Sequence, residues 1–405
     1  MDNFSCRICR SKDFCKTLDL GDQPWGNDYI LIDEKRDAER FPLIFGVCKT
    51  CMTAQINFTV AKEKMFSNHS YLSGTTKSLK EHFVEVGKDI LIRKKFSDKD
   101  FILDIGGNDG TFLEYFKDKN IDVLNVDSGS LQSNISNEKN IECLKVFFNE
   151  DTASQILSKK GKAKVIHGSG IFFHLEDLHS VFSGIKLLLD KDGILVAEFI
   201  YLPQMMSKCA YDQIYHEHLL YYSLISFQRL LDLHNLEIFD ASIYPIHGGS
   251  CLAYISHKGE NKKTKELQGL LEKEISEGID DLQTYLDFGE KAKHNKNLLN
   301  EIIQGLKKEN KSIQALGAPV KGSTIINFCG LTEEEIDCGV EINPHKFNTY
   351  FPGTKIPVFD EASKDKPDVY LLLAWNFQEE IFSKMIDFRN QGGKFLIPIS
   401  NIGLL

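Results

Sequence analysis

The stretch Ile102-Leu-Asp-Ile-Gly-Gly-Asn-Asp-Gly-Thr-Phe-Leu113 decides the architecture. A short apolar run from Phe101 to Ile105 stops at paired glycines, and helical spacing begins at Thr111 and continues to about residue 119, so the string reads as strand, tight turn and helix. Gly106 and Gly110 let the backbone approach a ligand closely at the mouth of the strand, while Asp104 puts a carboxylate at the strand's end. The alternation continues outward from there. A helical pattern over residues 77–95 comes before it, and after it come a strand at 122–127, a strand near 165–167, a helix near 178–190 and a strand at 193–199. Strands alternating with helices of this length predict βαβ units and a parallel sheet, so the fold class is α/β.

The register of the turn is D-x-G-x-x-x-G, not G-x-G-x-x-G, and no Lys-Ser/Thr follows as it would in a P-loop. The next strand ends in Val123-Leu-Asn-Val-Asp-Ser128, which places Asp127 to accept two hydrogen bonds from ribose hydroxyls. The register resembles the first motif of class I S-adenosylmethionine-dependent methyltransferases. That resemblance implies that Asp104, Gly106 and Gly110 cradle the methionine end of the cofactor and that Asp127 holds its ribose. On this segment alone, a plain strand–turn–helix in a structural α/β domain is the competing reading.

Four of the ten cysteines form two C-x-x-C pairs, Cys6/Cys9 and Cys48/Cys51, and the other six are scattered singly. Two knuckles presenting four thiolates are what tetrahedral zinc requires, and four cysteine ligands leave no open position, so the metal is expected to be structural. The bland alternative is four buried thiols in a small apolar unit.

The chain has 405 residues, 42% hydrophobic and 26% charged, which is ordinary globular composition with room for several domains. There are 48 Lys+Arg against 58 Asp+Glu, a net of −10 with no basic patch, which argues against nucleic acid as a partner. No apolar run reaches the ~20 residues of a bilayer span and no signal peptide opens the chain, so no membrane partner is expected and a cytoplasmic location is. Residues 259–311 are Lys/Glu-rich with Leu267, Leu270, Leu271 and Ile275 at helical spacing, and read as a helical linker or docking arm. Short apolar strands near 312–316, 337–342, 369–374 and 394–398 predict a second α/β layer holding no more than a small sheet. The predicted division is a zinc-binding domain at 1–70, a Rossmann-like methyltransferase domain at 71–258, the linker at 259–311 and a smaller Rossmann-like domain at 312–405.

A second constellation is Tyr211-Asp-Gln-Ile-Tyr-His-Glu-His-Leu-Leu-Tyr-Tyr-Ser223, denser in titratable groups than a solvated loop needs. His216 and His218 could be a metal pair, or either could be a structural histidine. The reading preferred here is a general base with an orienting acid beside it and a phenol to stabilise an oxyanion, the set needed to remove a proton α to a ketone.

With these motifs in order, the chain resembles the three-domain sugar C-methyltransferases, which methylate C-3 of nucleotide-linked 4-keto-6-deoxy sugars. The resemblance spans nearly the whole length. It runs through the four-cysteine segment, the glycine turn, Tyr215-His-Glu-His218, His247-Gly-Gly-Ser250, Gly317-Ala-Pro-Val-Lys-Gly-Ser-Thr-Ile-Ile-Asn327, Asn343-Pro-His-Lys346, Pro352-Gly-Thr-Lys-Ile-Pro357 and Leu373-Ala-Trp-Asn376. It implies His218 as the base at C-3, Tyr215 and Glu217 as its support, Tyr71 near the reacting groups, and His174 near the sugar diphosphate. Lys321 and the turn at His247 are candidate diphosphate partners. The implied cofactors are S-adenosylmethionine and structural zinc, and the implied substrate is a dTDP-, GDP- or CDP-linked keto sugar bound by a monomer or weak homo-oligomer. In His167-Gly-Ser-Gly-Ile-Phe-Phe-His174, Gly170 stands where relatives usually carry Asn, so an amide contact to cofactor or sugar is missing. Two other classes compete: a zinc-ribbon RNA methyltransferase, which the acidic balance disfavours, and a non-catalytic protein that keeps the cofactor fold, which the intact acids and histidines disfavour.

Overall fold

The computed structural model describes residues 4–66 and 71–405; Ser67 to Ser70 of the connector after the second cysteine pair lie outside the described residues. Three sheets carry the molecule. The central one has seven strands in the order Leu236–Tyr244, Ser250–His257, Leu189–Ile200, Ala163–Ser169, Phe101–Ile105, Asp122–Val126, Cys143–Leu144. The last five are mutually parallel, and Ser250–His257 runs antiparallel to both of its neighbours. Side chains of the first strand alternate between two buried faces, Phe101, Leu103 and Ile105 on one and Ile102 on the other, so the strand reads as a continuous apolar run. The helix Lys77–Arg93 covers the second face with Leu79, Phe83, Val86 and Ile90.

The strand order reverses beside Phe101–Ile105, whose neighbours Asp122–Val126 and Ala163–Ser169 are reached by crossovers in opposite directions. Crevices at the carboxyl ends of such strands are where α/β sheets take ligands, and Gly106 begins there.

The third sheet is larger than the sequence led one to expect. It holds eight short strands in the order Gly403–Leu404, Lys394–Ile397, Val369–Leu372, Ile313–Leu316, Cys338–Glu341, Pro357–Asp360, Thr349–Tyr350, Ile30–Leu31. Three two-residue strands and the four-residue Pro357–Asp360 account for the excess, and one of the short ones, Ile30–Leu31, comes from the N-terminal segment. Its reversal point lies between Ile313–Leu316 and Val369–Leu372, so Gly317 to Lys321 and Leu373 to Asn376 leave the sheet at the kind of strand-end crevice where α/β sheets take ligands.

The N-terminal sheet is an antiparallel hairpin of Phe14–Pro24 and Arg40–Cys48, extended by Ala54–Ile56 and by Leu220–Tyr221 from the segment after His218. The helix Leu282–Lys308 lies against this hairpin. Gly289 allows the close approach, since a Cβ there would stand 1.9 Å from the Thr17 carbonyl oxygen. Among the described residues no helix is long and apolar enough to cross a membrane.

Candidate active site and metal centre

The four cysteines of the two pairs converge. Cys6 and Cys51 sulfurs lie 3.5 Å apart, as do those of Cys9 and Cys48, and all four lie within 4.8 Å of one another. The two knuckles are alike: Arg10 and Met52 both have positive φ, and their amides donate to the Cys6 and Cys48 carbonyls. Tetrahedral zinc with Zn–S near 2.3 Å needs sulfurs separated by about 3.8 Å, so the set fits the ion. Hydrogen bonds among the sulfurs push the Cys51 thiol far up, led by Cys48, and the Cys48 thiol far down, led by Cys51. Four thiolates this close repel one another, and a bound cation would relieve that repulsion. The histidine alternative fails. Among the described residues the only metal-competent group is this one, and His216 and His218 have different surroundings. His216 packs on Phe41 with Nε2 at 3.3 Å from the Pro42 carbonyl.

At the glycine turn, Gly106 has φ +67° and Gly110 φ +75°. Gly107, which the sequence reading passed over, is more tightly constrained: a Cβ would lie 2.4 Å from Asn125 Oδ1 and 2.6 Å from Asp104 Oδ2. Asp104 is buried beneath this turn, and its Oδ1 takes His167 Nδ1 at 2.7 Å. The carboxylate read from sequence as facing the cofactor thus has one oxygen on His167 and the other against Gly107 of the turn. Asp127 accepts from the Asn108 amide through Oδ2 at 3.0 Å and from the Gly129 amide through Oδ1 at 2.8 Å, which fixes its orientation at the strand end. Asn108 and Gln132 side chains both donate to the Tyr71 carbonyl, which ties Tyr71 to the same turn. Only the left-handed backbone of Asn108, in the string Gly-Gly-Asn-Asp-Gly, hints at that role from sequence.

Tyr215, His218, His174 and Phe173 form one aromatic cluster. Ring centroids of His218 stand 3.9 Å from Tyr215, 4.7 Å from Phe173 and 5.2 Å from His174. His218 Nδ1 lies 2.9 Å from the Gln213 carbonyl, which can only accept, so Nδ1 carries the proton and the ring's lone pair sits on Nε2. This corrects the pairing read from sequence, because the orienting partner is a carbonyl and not the Glu217 carboxylate. Glu217 Oε1 instead accepts from Trp25 Nε1 at 2.6 Å and Asn27 Nδ2 at 2.8 Å, while its backbone carbonyl accepts from His174 Nδ1. Burial raises the Glu217 carboxyl, and the Trp25 and Asn27 donors pull it back. Burial, with Glu217 adding to it, holds the Tyr215 phenol well above its usual range, so it stays a donor.

The crevice of the third sheet adjoins this cluster. Lys321 Nζ stands 4.4 Å from the Trp375 ring centroid and donates to Asn376, and the Trp375 indole donates to buried Asp212 at 2.6 Å. Burial lowers the Lys321 pKa and Asp212 opposes the shift. The turn Ile246–Gly248 approaches Gln213 and Trp375, and Lys208, absent from the sequence reading, donates to the Gly248 carbonyl at 2.6 Å. The His247 side chain lies outside the described residues. Gly170 has φ +67° with open space where a Cβ would stand, so the backbone there would accept Asn.

Three family patterns tile the chain: a zinc binding domain over residues 6–66, a methyltransferase domain over 62–241 and a C-methyltransferase C-terminal domain over 245–400. The C-methyltransferase NovU of Streptomyces niveus is 28% identical over 398 residues, 97% of this chain and 95% of that protein. Along nearly its whole length the chain is therefore similar to the three-domain C-methyltransferases. With the cofactor turn and the four-sulfur cluster in place, it is an S-adenosylmethionine-dependent C-methyltransferase with a zinc-binding N-terminal unit. Two solved structures align over less than half of it. A Haloferax volcanii methyltransferase bound to the activator Trm112 is 13% identical, covering 46% of this chain and 94% of that one with a TM-score of 0.36. The CcbJ methyltransferase of Streptomyces caelestis is 11% identical, covering 44% and 90% with a TM-score of 0.35. Likeness at that level adds nothing to the functional reading.

Proposed function

We propose that this C-methyltransferase acts at C-3 of a nucleotide-linked 4-keto-6-deoxy sugar through an enolate. The observation that carries the reading is His218: buried, with Nδ1 anchored to a carbonyl so that Nε2 is the basic nitrogen, and with a protonated phenol tilted against its ring. The 4-keto group acidifies the C-3 proton, and His218 Nε2 removes it as the C–H electron pair moves toward the ketone oxygen. The Tyr215 hydroxyl donates to that developing oxyanion, with Tyr71 close by. The bound S-adenosylmethionine supplies an electrophilic methyl and its own neutral leaving group. Gly106, Gly107 and Gly110 give the turn its close approach to the methionine end, Asp104 braces it, and Asp127 receives the ribose hydroxyls. Lys321, Lys208, His174 and the turn at His247 are assigned to the sugar diphosphate on the chemistry of their cationic and N–H groups.

The test is isotope exchange. Wild-type protein with S-adenosylhomocysteine in heavy water should exchange the C-3 proton of at least one dTDP-, GDP- or CDP-linked 4-keto-6-deoxy sugar, and methylate the same sugar from labelled S-adenosylmethionine. Methylation of a nucleotide sugar's oxygen without any C-3 exchange would replace the enolate reading with an oxygen-directed one.

A further inference from the structure

The loop joining Pro24 to Ile30 belongs to the metal-binding segment, yet it is wedged between the other two units. Gly26 has no room for a side chain, because a Cβ there would stand 2.5 Å from Val320 Cγ1. Tyr29 donates its hydroxyl to the Ala318 carbonyl at 2.5 Å, and Lys346 Nζ lies 4.9 Å from the Tyr29 ring centroid. Asp28 is clamped by Arg36 at 2.7 Å. On the loop's inner side, Trp25 and Asn27 both donate to one oxygen of Glu217. Among the described residues the other oxygen, Oε2, has no hydrogen-bond partner, although Glu217 is 8% exposed. Two donors converging on a single oxygen orient a carboxylate and leave its second oxygen to accept from something else.

Resting on the function proposed above, we propose that Trp25 and Asn27 are positioning residues that hold the Glu217 carboxylate with Oε2 presented to a hydroxyl of the sugar. The metal-binding unit thereby forms part of the active site. The groups facing Glu217 are Lys346, which favours its ionised form, the neutral phenols of Tyr29 and Tyr215, and the His174 ring on its backbone carbonyl, with His218 next in sequence. Burial works against ionisation, and the Trp25 and Asn27 donors work for it. Removing either donor raises the carboxyl pKa, so the acidic limb of kcat/KM moves to higher pH.

The experiment uses the full-length zinc-loaded protein and the variants N27A, W25F, E217Q and N27A/E217Q, each first checked for S-adenosylmethionine affinity by calorimetry. N27A should keep that affinity, lower kcat/KM for the keto sugar about tenfold, shift the acidic limb upward and add no loss to E217Q. Glu217 protonation is also followed without substrate, by infrared difference spectra between each background and its E217Q counterpart; N27A should show the protonated carboxyl at a higher pH than wild type. Equal Glu217 titration in wild type, N27A and W25F overturns the proposal, as does a loss in the double variant equal to the product of the single losses. Failure of wild type to exchange any sugar's C-3 proton overturns the proposed function instead, and the infrared comparison still decides whether the loop positions Glu217. If N27A fails to bind cofactor, W25F carries the same tests.

Discussion

The hairpin of Phe14–Pro24 and Arg40–Cys48 carries a different kind of site at each end. Where Phe14 pairs with Cys48, four sulfurs close on themselves, all drawn from a single stretch of the N-terminal segment. Where Pro24 pairs with Arg40, the chain runs on into Trp25 and Asn27, which reach a carboxylate 192 and 190 residues away. The first site is saturated by its own side chains and gains stability from a metal. The second, in the function proposed above, presents a base, a phenol and a carboxylate oxygen to a substrate. A set of ligands that satisfies itself is structural; one that leaves donors and acceptors aimed at a common space is chemical.

The largest effect expected is at the open end. His218→Ala should abolish methyl transfer and C-3 exchange, a loss of at least about 10³-fold, while cofactor affinity by calorimetry stays as in wild type. An active His218→Ala would break the contrast at its centre and move the base to His174 or His216. At the closed end, Cys48→Ser should lose the single zinc found by metal analysis and destabilise the fold by about 3 kcal/mol or more in thermal melts. Full metal content and an unchanged melt would show that the sulfurs do not form the site.

A smaller change sharpens the contrast at the glycine turn. Asp127→Ala should weaken S-adenosylmethionine binding by about 1.5–3 kcal/mol, measured by calorimetry, with little change in melting temperature. Unchanged affinity would place the ribose elsewhere. The smallest effect separates the neighbouring histidines. Burial depresses the His216 pKa, so the folded state keeps it neutral while the unfolded chain takes up a proton below about pH 6.5. Its contribution to stability is therefore present above that pH and lost as the pH falls through it. His216→Asn should cost about 1–2 kcal/mol at pH 7, flatten the acid slope of stability in denaturant titrations, and leave turnover intact. Loss of turnover would put His216 inside the catalytic set.

Both cysteine knuckles and the strand–turn–helix at Gly106 were legible because each is a short-range device. Two ligands per knuckle and one turn per crossover are set by spacings of a few residues. Partners across the molecule were not legible. His216 and His218 alternate along the chain in a way that suits a shared metal, but one ring turns to Pro42 and the other to Gln213, Tyr215 and Phe173. Nor does the spacing around Asp104, read as a cofactor acid, announce that His167 from a neighbouring strand takes its Oδ1.

By itself the sequence determined the α/β class, the four metal-binding sulfurs and which segment concentrates the titratable groups. These follow from periodicity, turn chemistry and local ligand spacing. Only the tertiary structure decided that Ile30–Leu31 completes the third sheet, that Leu220–Tyr221 completes the first, and that Trp25 and Asn27 rather than His218 hold Glu217. The physical reason is that a buried polar group takes whatever partner the packing of distant strands brings within hydrogen-bond reach, and a contact across 192 residues leaves no periodic trace in the chain.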